Sequence, residues 1–456
     1  MTAAEEMETE TETVEELPDT PHPHPQPPSR LLWRNRDYTG WWIGESVSEF
    51  GSTLSAVAFP LLILAVTGSA ARAGFVQSAA GIGALVTMLL GGALADRFSR
   101  RTLLIAAPLV EALAVSTVVV SVATGHVNVA HLTVVGFVQG LASGLAGGAG
   151  FAALRRVVPA PQLPTAFAQL QGRTMAIRLA GPAGGGLLFT LARWVPFLGD
   201  TLSFLVGAFG VALIRRPLGP DPDERVPGEP VLASIRAGFS FIRGNAYLRF
   251  LMAWAALANA CVTGMLLLVI VLVRDHHGSA ALVGAVTSLG AVGGLVGSLF
   301  SARIARRAPG RLLVITVSWL MALTPVGIAV VPWPWAIGAL LALMMFLIGP
   351  VNVVFSTYEA RMIPDALMGR VSSALNFGAA SVRWFGPLGA GSLAAAFGPT
   401  TAMLVFAGVL AAIAASTLVA RGLHVLDQPV DQIAVPANRV LAEVASADVG
   451  GLGGQA

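Results

Sequence analysis

The sequence predicts an all-α polytopic membrane protein, with twelve transmembrane helices arranged as two pseudo-symmetric six-helix bundles, and three observations predict it. Hydrophobic residues make up 55% of the 456 positions and charged residues 12%, about half the ~25% typical of soluble domains. Apolar segments recur from Tyr38 onward, each of about 18 residues or more and so long enough for a ~30 Å hydrocarbon core. Finally, a stretch of the first half, 156–188, recurs without gaps at 361–393.

The chain opens with an acidic run from Glu5 to Glu16, followed by PHPHPQPP. Few apolar groups and mutually repelling charges predict a disordered cytoplasmic tail over 1–36. His22 and His24 belong to that solvated tail, and no cleaved signal is expected, because no basic region precedes an apolar one. The predicted spans are 38–66, 73–95, 102–124, 128–153, 165–190, 197–214, 247–273, 280–302, 312–331, 335–357, 371–397 and 400–420. Backbone groups in lipid must bond within their own segment, which makes these spans helices. Barrel strands would alternate polar and apolar residues, and runs such as MLLLVIVLV do not.

Spans one to six form a bundle over 37–215, and spans seven to twelve a second over 247–422, with a cytoplasmic tail over 423–456. The connection 216–246 is rich in proline and charge, and its part VLASIRAGFSFIRG has the mixed pattern of an amphipathic helix on the inner surface. Every basic residue is arginine. With the N-terminus inside, the predicted outer loops hold only Arg72, Arg193 and Arg274, while the inner segments hold most of the rest. The positive-inside rule then places both termini in the cytoplasm of a cell (inner) membrane protein.

Between 156–188 and 361–393 the identical pairs include Arg156/Arg361, Pro159/Pro364, Arg178/Arg383, Gly181/Gly386, Pro182/Pro387, Gly184/Gly389 and Gly186/Gly391. Two parallel six-span repeats are the architecture in which a solute binds near the midplane between rocking bundles. Small residues let helices approach closely in lipid. Gly181, Pro182, Gly185 and Gly186 of span 5, with Gly386 and Pro387 of span 11, therefore mark a candidate moving seam.

The segment GALADRFSRR, from Gly92 to Arg101 between spans 2 and 3, resembles the signature loop of the major facilitator superfamily, with Ser99 where glycine is usual. The resemblance implies a gate loop, carried by Gly92, Asp96, Arg97, Arg100 and Arg101, that clasps the cytoplasmic end of helix 11. The counterpart from Ser301 to Arg311 has Arg306 where Asp96 would fall. The segment from Gly181 to Gly186 is similar to the end of the family's antiporter motif, with Ile177 at an earlier glycine position. Gly136-Phe-Val-Gln139-Gly140 is similar to another family motif, with Gly136 where many proton-coupled members carry arginine. The resemblance covers about residues 37–422 and is nearest in flavour to bacterial siderophore and multidrug exporters.

Ionisable groups inside spans are functional candidates because they are costly there. Glu45 and Glu49 stand one turn apart on span 1 and so share a face. Two carboxylates that repel one another suit a group that takes up and releases a proton, although Glu45 could equally form a structural pair. Glu111, mid-span 3, suits a fixed internal pair, with proton coupling as the alternative. Arg178 and Arg383 are repeat equivalents; each could hold an anionic solute or neutralise a buried glutamate, and Arg178 is expected to pair with Glu45 or Glu49. Arg173 is expected to reach toward the interface. Among Gln139, Gln169, Gln171, Asn259, Asn352 and Asn376, some are expected to touch solute and others to hydrogen-bond between helices; Gln139, Asn259, Asn352 and Asn376 are solute-cavity candidates beside the two arginines, while Tyr358 and Glu359 suit the cytoplasmic gate. Trp41, Trp42, Trp194, Trp333 and Trp335 are expected to be interfacial anchors.

The function expected is proton-coupled efflux of a small amphipathic molecule by alternating access. The alternatives are import of an anionic metabolite through Arg178 and Arg383, and a non-transporting membrane receptor that has kept the fold. The partners expected are the lipid bilayer, a small-molecule substrate and protons, with the chain a monomer. Without a nucleotide loop, metal-ligand spacing or nucleophile elbow, no cofactor, metal or enzymatic chemistry is expected. Without a basic stripe interleaved with aromatics, no nucleic acid is expected either. The lone Cys261 excludes a disulfide within the chain.

Overall fold

The structure, a computed structural model, describes residues 32–97, 99–216 and 231–428. The predicted tails at 1–31 and 429–456 and the linker stretch 217–230 lie outside the described residues. Among the described residues there is no strand, and the helices in chain order are α1 (Arg36–Thr67), α2 (Ala70–Arg97), α3 (Arg100–Ala123), α4 (Val129–Val157), α5 (Leu163–Leu191), α6 (Val195–Ala212), α7 (Val231–Gly244), α8 (Ala246–Asp275), α9 (Ala280–Arg307), α10 (Gly310–Val330), α11 (Pro334–Met362), α12 (Asp365–Ser381), α13 (Phe385–Phe397) and α14 (Pro399–Val419). Polar residues just outside the apolar runs fix several starts. Asn35 accepts from the Tyr38 N–H, Asn128 from Ala130, Asn245 from Tyr247 and Leu248, and Ser279 from Leu282, each satisfying helix donors that have no intrahelical partner. Gly68, at φ 62°, closes α1 in the left-handed region.

Helices α1–α6 are spans 1–6, α8–α11 are spans 7–10, and α14 is span 12. Span 11, predicted as one helix over 371–397, is instead two, α12 and α13. Pro387 has no N–H to give, and its ring crowds the carbonyl four residues back, at Arg383. That freed carbonyl is recaptured by the Thr263 hydroxyl at 3.2 Å and the Gly386 N–H at 3.2 Å. Among the described residues eight helices are long and apolar enough, by length and composition alone, to cross a membrane, and α2, α4, α12 and α13 are not among them. Helix α5 is outside that set as well; it carries Gln169, Gln171, Arg173 and Arg178.

The two halves pack alike. In the first, α1 lies on α5 and α6, α2 on α4, and α3 on α4 and α6; in the second, α8 lies on α12, α13 and α14, α9 on α11, and α10 on α11 and α14. Glycines bring these pairs together: a Cβ at Gly140 would strike the Ala80 carbonyl across α2–α4, and one at Gly293 the Ala342 carbonyl across α9–α11. The outward rim is apolar, with Leu191, Leu299, Val330 and Val419 all exposed, as a lipid-facing surface requires.

The amphipathic helix of the connection is present as α7. Its apolar side is covered rather than left for lipid: Ile242 is buried, Phe239 meets Phe377 of α12 edge-on at 6.3 Å, and Gly238 lies against the Arg370 carbonyl. After α14, a short 3-10 turn over Arg421–Asp427 folds back on the second bundle, with Leu423 and Leu426 buried and Asp427 bound to Arg311 at 3.1 Å. Tyr358 donates to the Gln428 carbonyl at 2.9 Å and is buried. It is therefore a strut for this turn rather than the mobile gate residue expected. Trp333 and Trp335 are exposed at a span end, whereas Trp41 is buried and is not an interfacial anchor.

Candidate transport cavity and seam

Chain direction gives the molecule two faces: a tail face, where α1 begins, and a loop face, where α1 meets α2. In the loop-face half, the two bundles touch along two seams related by the internal repeat. Helix α5 meets α9, where a Cβ at Gly186 would strike the Ala280 carbonyl and one at Gly284 the Pro182 carbonyl. Helix α13 meets α2, where a Cβ at Gly391 would strike the Ala70 carbonyl and one at Gly74 the Pro387 carbonyl. The correspondence is residue for residue: 391 − 186 and 387 − 182 are both 205, while 280 − 70 and 284 − 74 are both 210. The serines beside the two seams are repeat equivalents as well, although their partners and their roles as donor and acceptor differ. The Ser78 hydroxyl donates to the Trp384 carbonyl at 2.7 Å, and its counterpart Ser288 accepts from the Ala183 N–H at 3.0 Å.

The candidate seam carried by helices 5 and 11 has two separate partners here. Gly186 and Pro182 sit against α9, and Pro387 against α2; the two repeat helices do not face each other there. Gly181, Gly185 and Gly386 serve inside the bundles: Gly181 packs on Thr53, Gly185 on Leu54 and Gly386 on the Ala260 carbonyl. Small residues at crossing points remain the reason, because backbones in lipid gain by approaching closely.

Toward the tail face the first bundle holds a polar cluster between α1 and α5. Glu49 Oε2 pairs with Arg173 at 2.9 Å and accepts from the Thr174 hydroxyl at 3.4 Å. The Arg173 side chain is 8% exposed, and its Nε and Nη1 have no hydrogen-bond partner. The Tyr38 hydroxyl donates to Gln169 at 2.7 Å on the same seam of α1 and α5. Glu45, one turn before Glu49, is exposed and has no ion pair among the described residues. Two expectations change here. Arg178 does not pair with Glu45 or Glu49, and Arg173 does not reach to the interface; Arg173 takes Glu49 because it, and not Arg178, lies on the α1 side of α5.

Arg178 is exposed and makes no ion pair among the described residues. Its repeat equivalent Arg383 stands at the α12–α13 break, and the two guanidinium charges are close enough to repel. Arg383 lines a cavity of about 480 Å³ in the first bundle, together with Gln77, Glu111 and Gln139. A second cavity, of about 360 Å³, lies in the other bundle and is lined by Asn259, Asn352 and Asn376 with Trp254, Phe355 and Glu359. Five of the six solute candidates thus line one of these two cavities, and the sixth, Arg178, lines neither. The Asn259 amide donates back to the Ala255 carbonyl at 2.8 Å, which leaves its oxygen free.

Glu111 was expected to have a basic partner and has none among the described residues. It is buried, and the charges it faces are those of Asp200 and Glu45. Asp200 and Gln77 are not among the sequence candidates. Asp200 stands near the predicted start of span 6, where an acid resembles an interfacial group, yet it is fully buried because Gly51 of α1 packs directly on Ser203 and the Asp200 backbone. Its signal was the general one, a carboxylate inside a span.

Of the gate-loop group, the side chains of Gly92, Asp96, Arg97 and Arg100 lie outside the described residues. Arg101 donates to the Ala212 carbonyl at the end of α6 at 2.9 Å, a contact within its own bundle. Ser99, which stands in place of the usual glycine, caps α3 by accepting from the Thr102 N–H at 3.1 Å.

Comparisons with known proteins agree with this architecture. The chain is 27% identical over 377 residues to the multidrug efflux pump Tap of Mycolicibacterium fortuitum, covering 79% of this chain and 86% of that protein. It is 24% identical over 347 residues to the enterobactin exporter EntS of Shigella flexneri, covering 75% and 81%. Among solved structures it resembles the nucleoside transporter NupG, with a TM-score of 0.65 at 16% identity over 84% of this chain and 98% of that one. It also resembles a bacterial homologue of the lysosomal transporter Spinster in an inward-facing, unoccupied conformation, with a TM-score of 0.65 at 15% identity over 88% and 99%. The sequence pattern of the Major Facilitator Superfamily matches residues 41–387, and the chain belongs to that superfamily.

Proposed function

We propose that this chain exports a small amphipathic solute across the cell membrane in exchange for protons, with both termini in the cytoplasm and the tail face open to it. The observation that carries the reading is the Glu49–Arg173 pair beside the unpaired Glu45 on the cleft side of α1. A proton on Glu49 cancels its attraction for Arg173 and frees a guanidinium that already has two unpartnered nitrogen sites. Proton and solute then bias the same rocking equilibrium in opposite senses, which is what exchange requires. The printed functions of the relatives, drug efflux and siderophore export, support the direction of transport. The apolar-and-amide lining of the two cavities suits a solute with apolar and polar parts.

The unpaired Arg178 and Arg383 favour one addition: a solute that bears a negative group. Direction and coupling are tested together in inside-out vesicles with an acid lumen, using a fluorescent amphipathic dye. Uptake driven by the gradient and lost in both Glu45→Gln and Glu49→Gln is the expected result. Full uptake in both variants would remove the coupling, and uptake only under the opposite gradient would make the chain an importer.

A further inference from the structure

Helix α9 repeats α2 end for end: its limits, Ala280 and Arg307, stand 210 residues after Ala70 and Arg97 (280 − 70 and 307 − 97). The last turn does not repeat. Ala93, Asp96 and Arg97 close α2 with charges that cancel, whereas their counterparts Arg303, Arg306 and Arg307 close α9 with three like charges. These three arginines are exposed, and none makes an ion pair or side-chain hydrogen bond among the described residues. The helix dipole favours basic groups in a last turn, but Arg303 stands three and four residues before the other two, the spacing at which like charges repel.

A cavity of about 630 Å³ lies beside that turn, lined by Arg306 together with Gly310 of α10, Thr357 and Tyr358 of α11, and Asp427 and Gln428 of the closing 3-10 turn. The acid in this lining is already spent: Asp427 is bound by Arg311 at 3.1 Å, with His424 at 3.4 Å. The cavity therefore keeps the positive charge of the arginines. No side chain caps the start of α10, which leaves its first N–H groups as further donors. Toward the middle of the span, α9 is apolar and bare, with Leu299 72% exposed and Phe300 47% exposed. At about 100° per residue, Leu299, Phe300, Arg303, Arg306 and Arg307 fall within about a third of the helix circumference. One strip of α9 thus runs from apolar side chains to guanidinium groups over about two turns.

We propose that the tail-face end of α9 seats the phosphate of an anionic phospholipid, bound by Arg303, Arg306 and Arg307, with its acyl chains along Leu299 and Phe300. A basic pocket between helices at the end of a span is the kind of site that takes such a headgroup, and the guanidinium fork matches the geometry of phosphate oxygens. The apolar strip selects a lipid over a free phosphate, because a soluble anion would use the arginines and leave Leu299 and Phe300 without a role. The lipid answers the repulsion that replacing Asp96 by Arg306 creates in the second repeat. The site needs only that α9 spans the membrane, and it stands whether the solute is exported or imported.

The test is binding of a fluorescent phosphatidylglycerol to the purified full-length protein in detergent micelles, a readout independent of transport. The expected result is saturable binding, at least about tenfold tighter than that of a phosphatidylcholine with the same chains. Affinity should fall about tenfold in the double variant Arg303→Gln, Arg306→Gln, in line with the loss of two charge-assisted contacts. It should be unchanged in Arg236→Gln, Arg243→Gln, which removes the same charge from exposed positions of α7. All four arginines are exposed, so the variants keep the fold. Leu299→Ser, Phe300→Ser should weaken the lipid severalfold. Equal binding of phosphatidylcholine, or an equal loss in the α7 variant, would overturn the proposal, since charge at large would then explain the binding. Full displacement by millimolar inorganic phosphate, with Leu299→Ser, Phe300→Ser silent, would overturn it in favour of a site for free phosphate.

Discussion

Arg173 and Arg178 show what a single residue's position on a helix decides. They are five residues apart on α5, which turns them about 140° from each other around the helix axis, so only one can face α1. Glu49 therefore has one arginine within reach, and the structure gives it Arg173 at 2.9 Å. Arg178 and both glutamates were legible as candidates because charge inside a span is rare, whereas Arg173 was expected to reach toward the interface. The pairing was not legible, because a sequence carries no information about how α5 is rotated against α1. Asp200 illustrates the same limit in depth: its burial comes from the close packing of Gly51 on α6, a contact between segments far apart in the chain. The pair itself makes a thermodynamic prediction. Removing Glu49 leaves a guanidinium that is 8% exposed without its counter-charge, so Glu49→Gln and Arg173→Met should each cost about 2–3 kcal/mol, below the full value for a buried pair because Glu49 is partly open. The double variant should cost less than the sum by about 1 kcal/mol or more. Thermal melts of the four proteins in nanodiscs measure this, and strict additivity would show that the two side chains do not interact.

Helices α5 and α12–α13 show that the same proline, at equivalent places, can have two outcomes. Pro182 leaves α5 continuous, whereas at Pro387 span 11 divides. A neighbouring threonine differs between them. Thr263 of α8 has the freed Arg383 carbonyl within reach of its hydroxyl at 3.2 Å, besides the Asn259 and Ala260 carbonyls of its own helix at 2.9 and 3.0 Å. Its counterpart Thr53 of α1 gives its hydroxyl to the Glu49 carbonyl of its own helix at 2.8 Å and turns its methyl to Gly181. The break therefore has a partner for its exposed backbone, as irregular backbone in a membrane requires, and the continuous helix has none to offer. Thr263→Val keeps the shape and removes the partner, so it should lower stability by about 1–2 kcal/mol. Thr53→Val loses only a local bond to its own helix and should cost about 0.5 kcal/mol or less. Equal losses in thermal melts would separate the break from Thr263. The order of the helices along the chain was legible from the apolar runs, although among the described residues only eight of them are long and apolar enough to cross a membrane. The break was not, because the apolar run continues through it and the equivalent Gly-Pro motif in α5 does not break.

At the scale of the whole molecule, the two seams join the same pair of bodies, and that makes their behaviour dependent. The α5–α9 seam and the α2–α13 seam use matched glycines, matched carbonyls and the matched serines Ser78 and Ser288. The repeat that relates them was visible in the sequence on the side of spans 5 and 11. The partner helices α9 and α2 were not, since their matching residues, Ala280 and Gly284 against Ala70 and Gly74, are too common in type to stand out. If each bundle moves as a rigid unit, a wedge in one seam must loosen the other. Gly284→Val places a side chain against the Pro182 carbonyl, where there is no room for a Cβ, and so disfavours the closed loop face. The reporter belongs in the opposite seam: Ala70→Cys, at a site now 7% exposed, in a background with the buried Cys261 replaced by alanine. In that background the Ala70→Cys thiol should react slowly with a membrane-impermeant maleimide added at the loop face, and at least about tenfold faster once Gly284→Val is present, the change expected of a shift of about 1.4 kcal/mol in a two-state equilibrium. Protection of Ala70→Cys that persists beside the wedge would mean that the seams open separately, and the bundles would then have to be treated as flexible bodies rather than two that rock about a common cleft.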